Sequence, residues 1–147
     1  MAAPDLCTDQ EIAQMVHAFY ADVRRDELLG PIFNGHVADW DHHLAVLVDF
    51  WSSILRGTGR FTGSPMTKHV ALPELSAELF ERWLTLFRRT TAAQPNQAMG
   101  EQAYTMARRI ARSLWFGYQM SRSPDAMPAD LPSHWSGLGI RRRARNT

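Results

Sequence analysis

Six histidines, five tryptophans, three tyrosines and one cysteine are the residues of this 147-residue chain most suited to chemistry. Cys7 stands alone, which excludes an intramolecular disulfide and any CxxC zinc or redox motif. It sits near a terminus that frays, so a Cys–His nucleophile pair is not expected. The sequence holds no Gly-rich phosphate loop, no G-x-S-x-G elbow and no H-E-x-x-H. His36, Asp39, Asp41 and His42 could gather a divalent ion, but their spacing fits no defined site and a solvated polar face is the expectation. What remains are polar groups at positions that helical periodicity turns inward: Tyr20, His43 and Trp83, with His69 on a short segment between prolines. Each alone reads as core packing with one hydrogen-bond partner. Taken together, from separate elements, they outline a buried polar pocket.

The elements that would position them are helices. No run alternates at period two, whereas spacings near 3.6 recur, so the chain reads as all-α. Thr8-Asp9-Gln10-Glu11 is a capping box that opens a first helix, whose stripe runs Ile12, Met15, Val16, Phe19, Tyr20, Val23. Gly30-Pro31 predicts a turn, followed by a short corner over Ile32-Phe33-Asn34-Gly35. A second long helix is predicted from about Asp39 to Leu55, with Trp40, Leu44, Leu47, Val48, Trp51, Ile54 and Leu55 in one arc. His43 lies at the edge of that arc and His42 on the opposite face. Ser64 and Pro65 suit the start of a short helix, and Pro73 limits it to about two turns. It carries His69 among apolar Met66, Val70 and Leu72. A third long helix starts near Ser76 and a fourth runs from about Gln97 to Met120, separated by Gln94-Pro95-Asn96. On the fourth, Arg108 and Arg112 face outward, and Trp115 and Phe116 fall off the stripe, where the tail or a partner would cover them.

At this length one core suffices, and 45% hydrophobic against 21% charged residues excludes wholesale disorder. A net charge of +1 is a poor match for a nucleic-acid binder. The stretch Leu44 to Leu55 is interrupted by Asp49 and is too short to span a membrane. Met1 to Thr8 has no signal-peptide character, so a soluble cytoplasmic protein is expected, with neither nucleic acid nor membrane as a partner. Residues 1–122 are read as one domain. From Ser123 a Pro-rich tail, with Gly137, Gly139 and the run Arg141-Arg142-Arg143-Ala144-Arg145, is read as mobile. Seven methionines and seven phenylalanines suit an apolar cofactor slot, and a single neutral imidazole is a standard ligand of haem iron.

The chain also resembles the truncated haemoglobins, specifically their third group. The resemblance rests on Phe19-Tyr20, Asp26-Glu27-Leu28-Leu29-Gly30-Pro31-Ile32-Phe33-Asn34, Trp40-Asp41-His42-His43 and Asp49-Phe50-Trp51-Ser52-Ser53. It continues through Gly57-Thr58-Gly59, Gly63-Ser64-Pro65-Met66-Thr67-Lys68-His69 and Arg82-Trp83-Leu84-Thr85-Leu86-Phe87, in order and at kept spacing from about Asp9 to Met120. It implies a shortened globin fold, two helices over two, around haem b. It implies His69 as proximal iron ligand and Phe33 against the haem face, with Met66 counted among the cofactor-binding residues. It implies Tyr20, His43 and Trp83 as distal ligand-stabilising residues, with Leu47 as the apolar wall. Lys68 and Arg60 are candidates for the haem propionates because they flank the proximal segment.

Such a pocket implies binding of O2, NO and CO, with redox chemistry on O2, NO or peroxide rather than bulk transport. Nitric oxide dioxygenation or peroxidase-like turnover would need an external reductant, supplied by an unidentified reductase. The alternative is a gas sensor or scavenger that acts through a partner protein, and a cofactor-free helical interaction module stands as the bland reading.

Overall fold

The computed structural model describes residues 3–70, 72 and 75–131, with the side chains of 66, 67 and 70 outside that description. Six helices are present among the described residues: α1 (Asp9–Arg25), α2 (Gly30–His36), α3 (Trp40–Arg56), α4 (Pro65–Val70), α5 (Ala77–Ala92) and α6 (Gln97–Arg122). Their starts are fixed by side-chain caps. Thr8 and Glu11 form the reciprocal capping box, and Asp39, Ser76 and Asn96 accept from the third helical N–H of α3, α5 and α6. Gly57 ends α3 at φ 72°, a left-handed conformation that a side chain would strain. Gly30-Pro31 begins a helix where the sequence predicts a turn, because proline lacks only a donor that the first helical turn leaves unused.

α1 and α3 pack as one pair and α5 and α6 as another; α1 crosses α5 and α3 meets α6. This is the two-over-two arrangement of the shortened globin. α5 and α6 approach closely at Gly100, where a Cβ would stand 2.4 Å from the carbonyl oxygen of Thr91. The core between the pairs is aromatic. Phe87 stacks on Trp83 at 5.3 Å and 7° and on Trp51 at 5.2 Å and 18°, and Phe19 meets Phe87 edge-on at 4.9 Å. Cys7 is buried beside this core, and burial raises its thiol pKa, with Glu11 adding to the effect.

A buried carboxylate ties α1 to α5. The Asp26 side chain, 3% exposed, accepts from the backbone N–H groups of Leu28 and Leu29 at 3.1 and 3.0 Å. It also accepts from Arg82 Nε and Nη2 at 2.9 and 2.6 Å. The Arg82 pair is the main reason the Asp26 carboxyl lies below its ordinary value.

Beyond α6 the described chain folds back. Gln119 brackets Ala129 with two hydrogen bonds, Arg112 holds Asp130 through both carboxylate oxygens at 3.0 Å, and Leu131 is fully buried. Arg112 thus serves as a tether rather than a free outward charge, and Arg108 lies over the Tyr104 ring at 5.1 Å. Both stems pack along the body while their heads find partners. Trp115 packs on Phe80 at 5.6 Å and Tyr118 at 6.2 Å. The expected basic run Arg141–Arg145 and Gly137 and Gly139 lie outside the described residues. No helix among the described residues is long and apolar enough to cross a membrane.

Replacing Asp26 with alanine removes two cap bonds and the Arg82 tie, and is expected to cost about 1–3 kcal/mol in urea unfolding. Because the folded pKa of Asp26 is lowered, its contribution is full above the ordinary value of 3.8. It is lost as the pH falls through the lowered value, so the gap between wild type and variant closes in acid.

Candidate functional site

Tyr20 stands at the centre of the site. It is the last inward residue but one on the α1 stripe, is 5% exposed, and lies among rings from three other helices. Phe33 of α2 is 5.7 Å away between centroids, and Trp40 and His43 of α3 are each 6.1 Å away, His43 edge-on at 85°. Trp83 of α5 offers its indole N–H to the phenol oxygen. Burial pushes the Tyr20 pKa far above its ordinary value, and the Trp83 contact offsets this only in part. Tyr20 therefore keeps its proton at Oη across the physiological range. The side chains that helical wheels turned inward from α1, α3 and α5 meet in one place.

His43 is half-buried. Its pKa is lowered first by desolvation and then by the charges of Lys68 and His42, so the ring is neutral at pH 7. Its ring meets Trp40 edge-on at 5.5 Å, and the guanidinium of Arg24 caps the other partner, 4.5 Å from the Trp40 centroid. Leu47 sits one helical turn beyond His43 and is half-buried. So are Leu44, Val48 and Ile54, although all four belong to the apolar arc of α3. An apolar helix face left partly uncovered by the protein's own side chains suits a flat apolar cofactor.

His69 stands on α4. His69 Nδ1 lies 2.7 Å from the carbonyl oxygen of Pro65. A carbonyl only accepts, so Nδ1 carries a proton, and in the neutral ring that leaves the lone pair on Nε2. That is the tautomer an iron ligand needs, with its other nitrogen held by the protein. The side chain of Met66 lies outside the described residues. Arg60 Nη2 donates to Asp9 at 2.8 Å and to Ser52, and its Nε faces Asp49 at 3.7 Å. Among the described residues no group of three His, Cys, Asp or Glu side chains gathers to hold a bare metal ion, and Asp39 caps α3 instead.

Trp40 and Arg24 join the site without having been singled out for it. Trp40 shares the arc of His43 three residues earlier, a signal present in the wheel. Arg24 lies on the exposed side of α1, and only the crossing of α1 and α3 brings it over the ring.

Comparison with known proteins agrees with this geometry. The sequence pattern of the family described as bacterial-like globin matches residues 5–115. The chain is 37% identical over 106 residues to the group 3 truncated hemoglobin of Campylobacter jejuni, covering 69% of this chain and 84% of that protein. The crystal structure of a group III truncated hemoglobin from Campylobacter jejuni matches with a TM-score of 0.72 at 31% identity, over 86% of this chain and all (100%) of that one. The chain belongs to the bacterial-like globins and, within them, to the group III truncated haemoglobins. The family's cofactor is haem b. The residues present fit it: an imidazole of the right tautomer on α4 and an incompletely covered apolar face on α3.

The lowered pKa of His43 gives a direct check. Its ring is expected to titrate below 6.5 in a proton NMR series, and Lys68→Ala is expected to raise the midpoint. Desolvation is the larger cause, so the midpoint stays below 6.5 in the variant. A midpoint unmoved by Lys68→Ala would separate His43 from α4.

Proposed function

We propose that this globin binds O2, NO and CO in a pocket built for retention and redox chemistry rather than bulk transport, with His69 as the iron ligand. When bound, haem b supplies a ferrous iron with an exchangeable position for such ligands. The observation that carries the reading is the convergence of the Tyr20 O–H, whose oxygen accepts from the Trp83 N–H, with the neutral ring of His43 and an apolar wall that includes Leu47. Burial keeps the Tyr20 proton in place, so the phenol is always a donor. Trp83 can only donate, and its stacking on Phe87 holds the indole where it faces Tyr20. His43 can donate from one nitrogen and accept at the other. Hydrogen bonds to a ligand that gathers negative charge are the stronger kind, so these groups slow its departure. The same donors polarise an O–O bond, which suits turnover of O2, NO or peroxide with an external reductase as electron donor. Phe33 supports the reading from α2, where its ring contacts Tyr20. A single buried thiol suits the reducing cytoplasm.

Two variants test the proposal. Tyr20→Phe keeps the ring contacts and removes the proton, and is expected to release O2 roughly ten- to a hundredfold faster by stopped flow, the range for a hydrogen bond to a charged group. An unchanged release rate would remove Tyr20 from the ligand's environment. His69→Gly is expected to lose the absorption spectrum of five-coordinate ferrous haem and to regain it with added imidazole. A spectrum indifferent to that substitution would assign the iron ligand elsewhere.

A further inference from the structure

α4 has six residues, too few to hold a helix in place by its own hydrogen bonds. It follows Gly63 at φ 123°, a backbone conformation that favours glycine. Its ring-to-backbone bond, His69 Nδ1 to the Pro65 carbonyl, lies within the same short helix. That bond fixes how the imidazole is turned on α4 but not where α4 stands in the molecule. The position has to come from another element.

The end of α6 supplies it. The His69 carbonyl accepts from the Leu72 N–H at 3.0 Å, closing a turn after the helix. The Leu72 carbonyl in turn accepts from Tyr118 Oη at 2.9 Å and from Arg122 Nη2. Tyr118 Oη also accepts from the Leu75 N–H at 3.1 Å and from Arg122 Nε at 3.2 Å. One phenol oxygen thus donates once and accepts twice, which is its full capacity. It bridges Leu72 and Leu75, near the two ends of the connection from α4 to α5. The ring that carries it is 5% exposed, stacked beside Trp115 and beneath the Arg122 guanidinium, 4.7 Å from its centroid.

We propose that Tyr118 and Arg122 are positioning residues for His69: from the end of α6 they fix the backbone that follows it and so set where its Nε2 stands. The inference rests on the reading of His69 as the iron ligand. The bonds of both residues run to the backbone at Leu72 and Leu75, so the proposed effect reaches the iron ligand through the chain that follows it. Tyr118 carries more of the effect than Arg122, because its bonds are shielded from water and the guanidinium is exposed.

Tyr118→Phe in the haem-loaded protein keeps the stacked ring and removes every bond of Oη. The iron–histidine stretching band of the ferrous protein, read by resonance Raman, is expected to shift. The Leu75 amide is expected to exchange roughly two- to tenfold faster, as loss of an ordinary hydrogen bond gives. Arg122→Gln is expected to move the band in the same direction by less. A merely structural role would speed amide exchange and leave the band in place, so a band unmoved in both variants overturns the proposal whatever the exchange shows. Where Tyr118→Phe does not fold, Arg122→Gln carries the test alone, and an unmoved band in it has the same meaning. A wild-type protein with no iron–histidine band overturns the assignment of His69, and this inference with it. A wild-type band that neither substitution shifts overturns this inference only.

Discussion

Phe87 is the ring on which the rest of the arrangement depends. It lies between Trp83 and Trp51, parallel to both, with Phe19 against its edge. Those contacts join α5 to α3 and α1 in one rigid aromatic unit. They also decide the chemistry, because Trp83 is held by the same stack that forms the core. Phe19 touches Trp83 edge-on at 5.3 Å and precedes Tyr20 in the chain, so the orientation of the phenol and that of the indole share one support. Pocket and core are therefore one packing problem. A side chain that loosened Phe87 would misplace both donors at once.

The molecule balances this rigid half against a lightly built one. The long helices α1, α3, α5 and α6 are capped, stacked and crosslinked by Asp26–Arg82. α4 is short, follows a left-handed glycine and packs on α6, which also hydrogen-bonds the Leu72 carbonyl just beyond it. The segment before it is tied differently, by Asp9 receiving Arg56 and Arg60 at 2.6 and 2.8 Å. The two halves therefore hold their residues by different means: Tyr20 and Trp83 by ring stacking in the core, His69 by its own short helix and the backbone that follows it.

Much of the fold was legible in the sequence because helices announce themselves locally. Thr8 with Glu11, Asp39, Ser76 and Asn96 are caps within a few residues of the bonds they make, and the apolar period of α1 and α5 gives the buried face directly. Tyr20, His43 and Trp83 were legible for the same reason: each sits on a long amphipathic helix. His69 sits on a helix too short to show a period, and only the resemblance of its surrounding motif gave it a role. Contacts across the fold left no local trace. Asp26 and Arg82 are 56 residues apart, and Arg24 meets Trp40 only through a helix crossing. The start of α2 was obscured because Gly-Pro is a turn signal and a helix opener alike. Leu131 looked like part of a tail because its burial depends on Gln119 and Arg112 drawing the chain back over α6.

Cys7 adds a property unrelated to ligand binding. It precedes the capping box of α1 and is 6% exposed, and its raised pKa keeps it in the unreactive thiol form. An alkylating reagent can reach it only when the N-terminal segment lifts from the body. With no second cysteine to compete, the rate of labelling reports the fraction of time this end is open, or the opening rate itself where alkylation outpaces reclosing. The chain thus carries its own clock for the local unfolding of the end where Asp9, Arg56 and Arg60 meet.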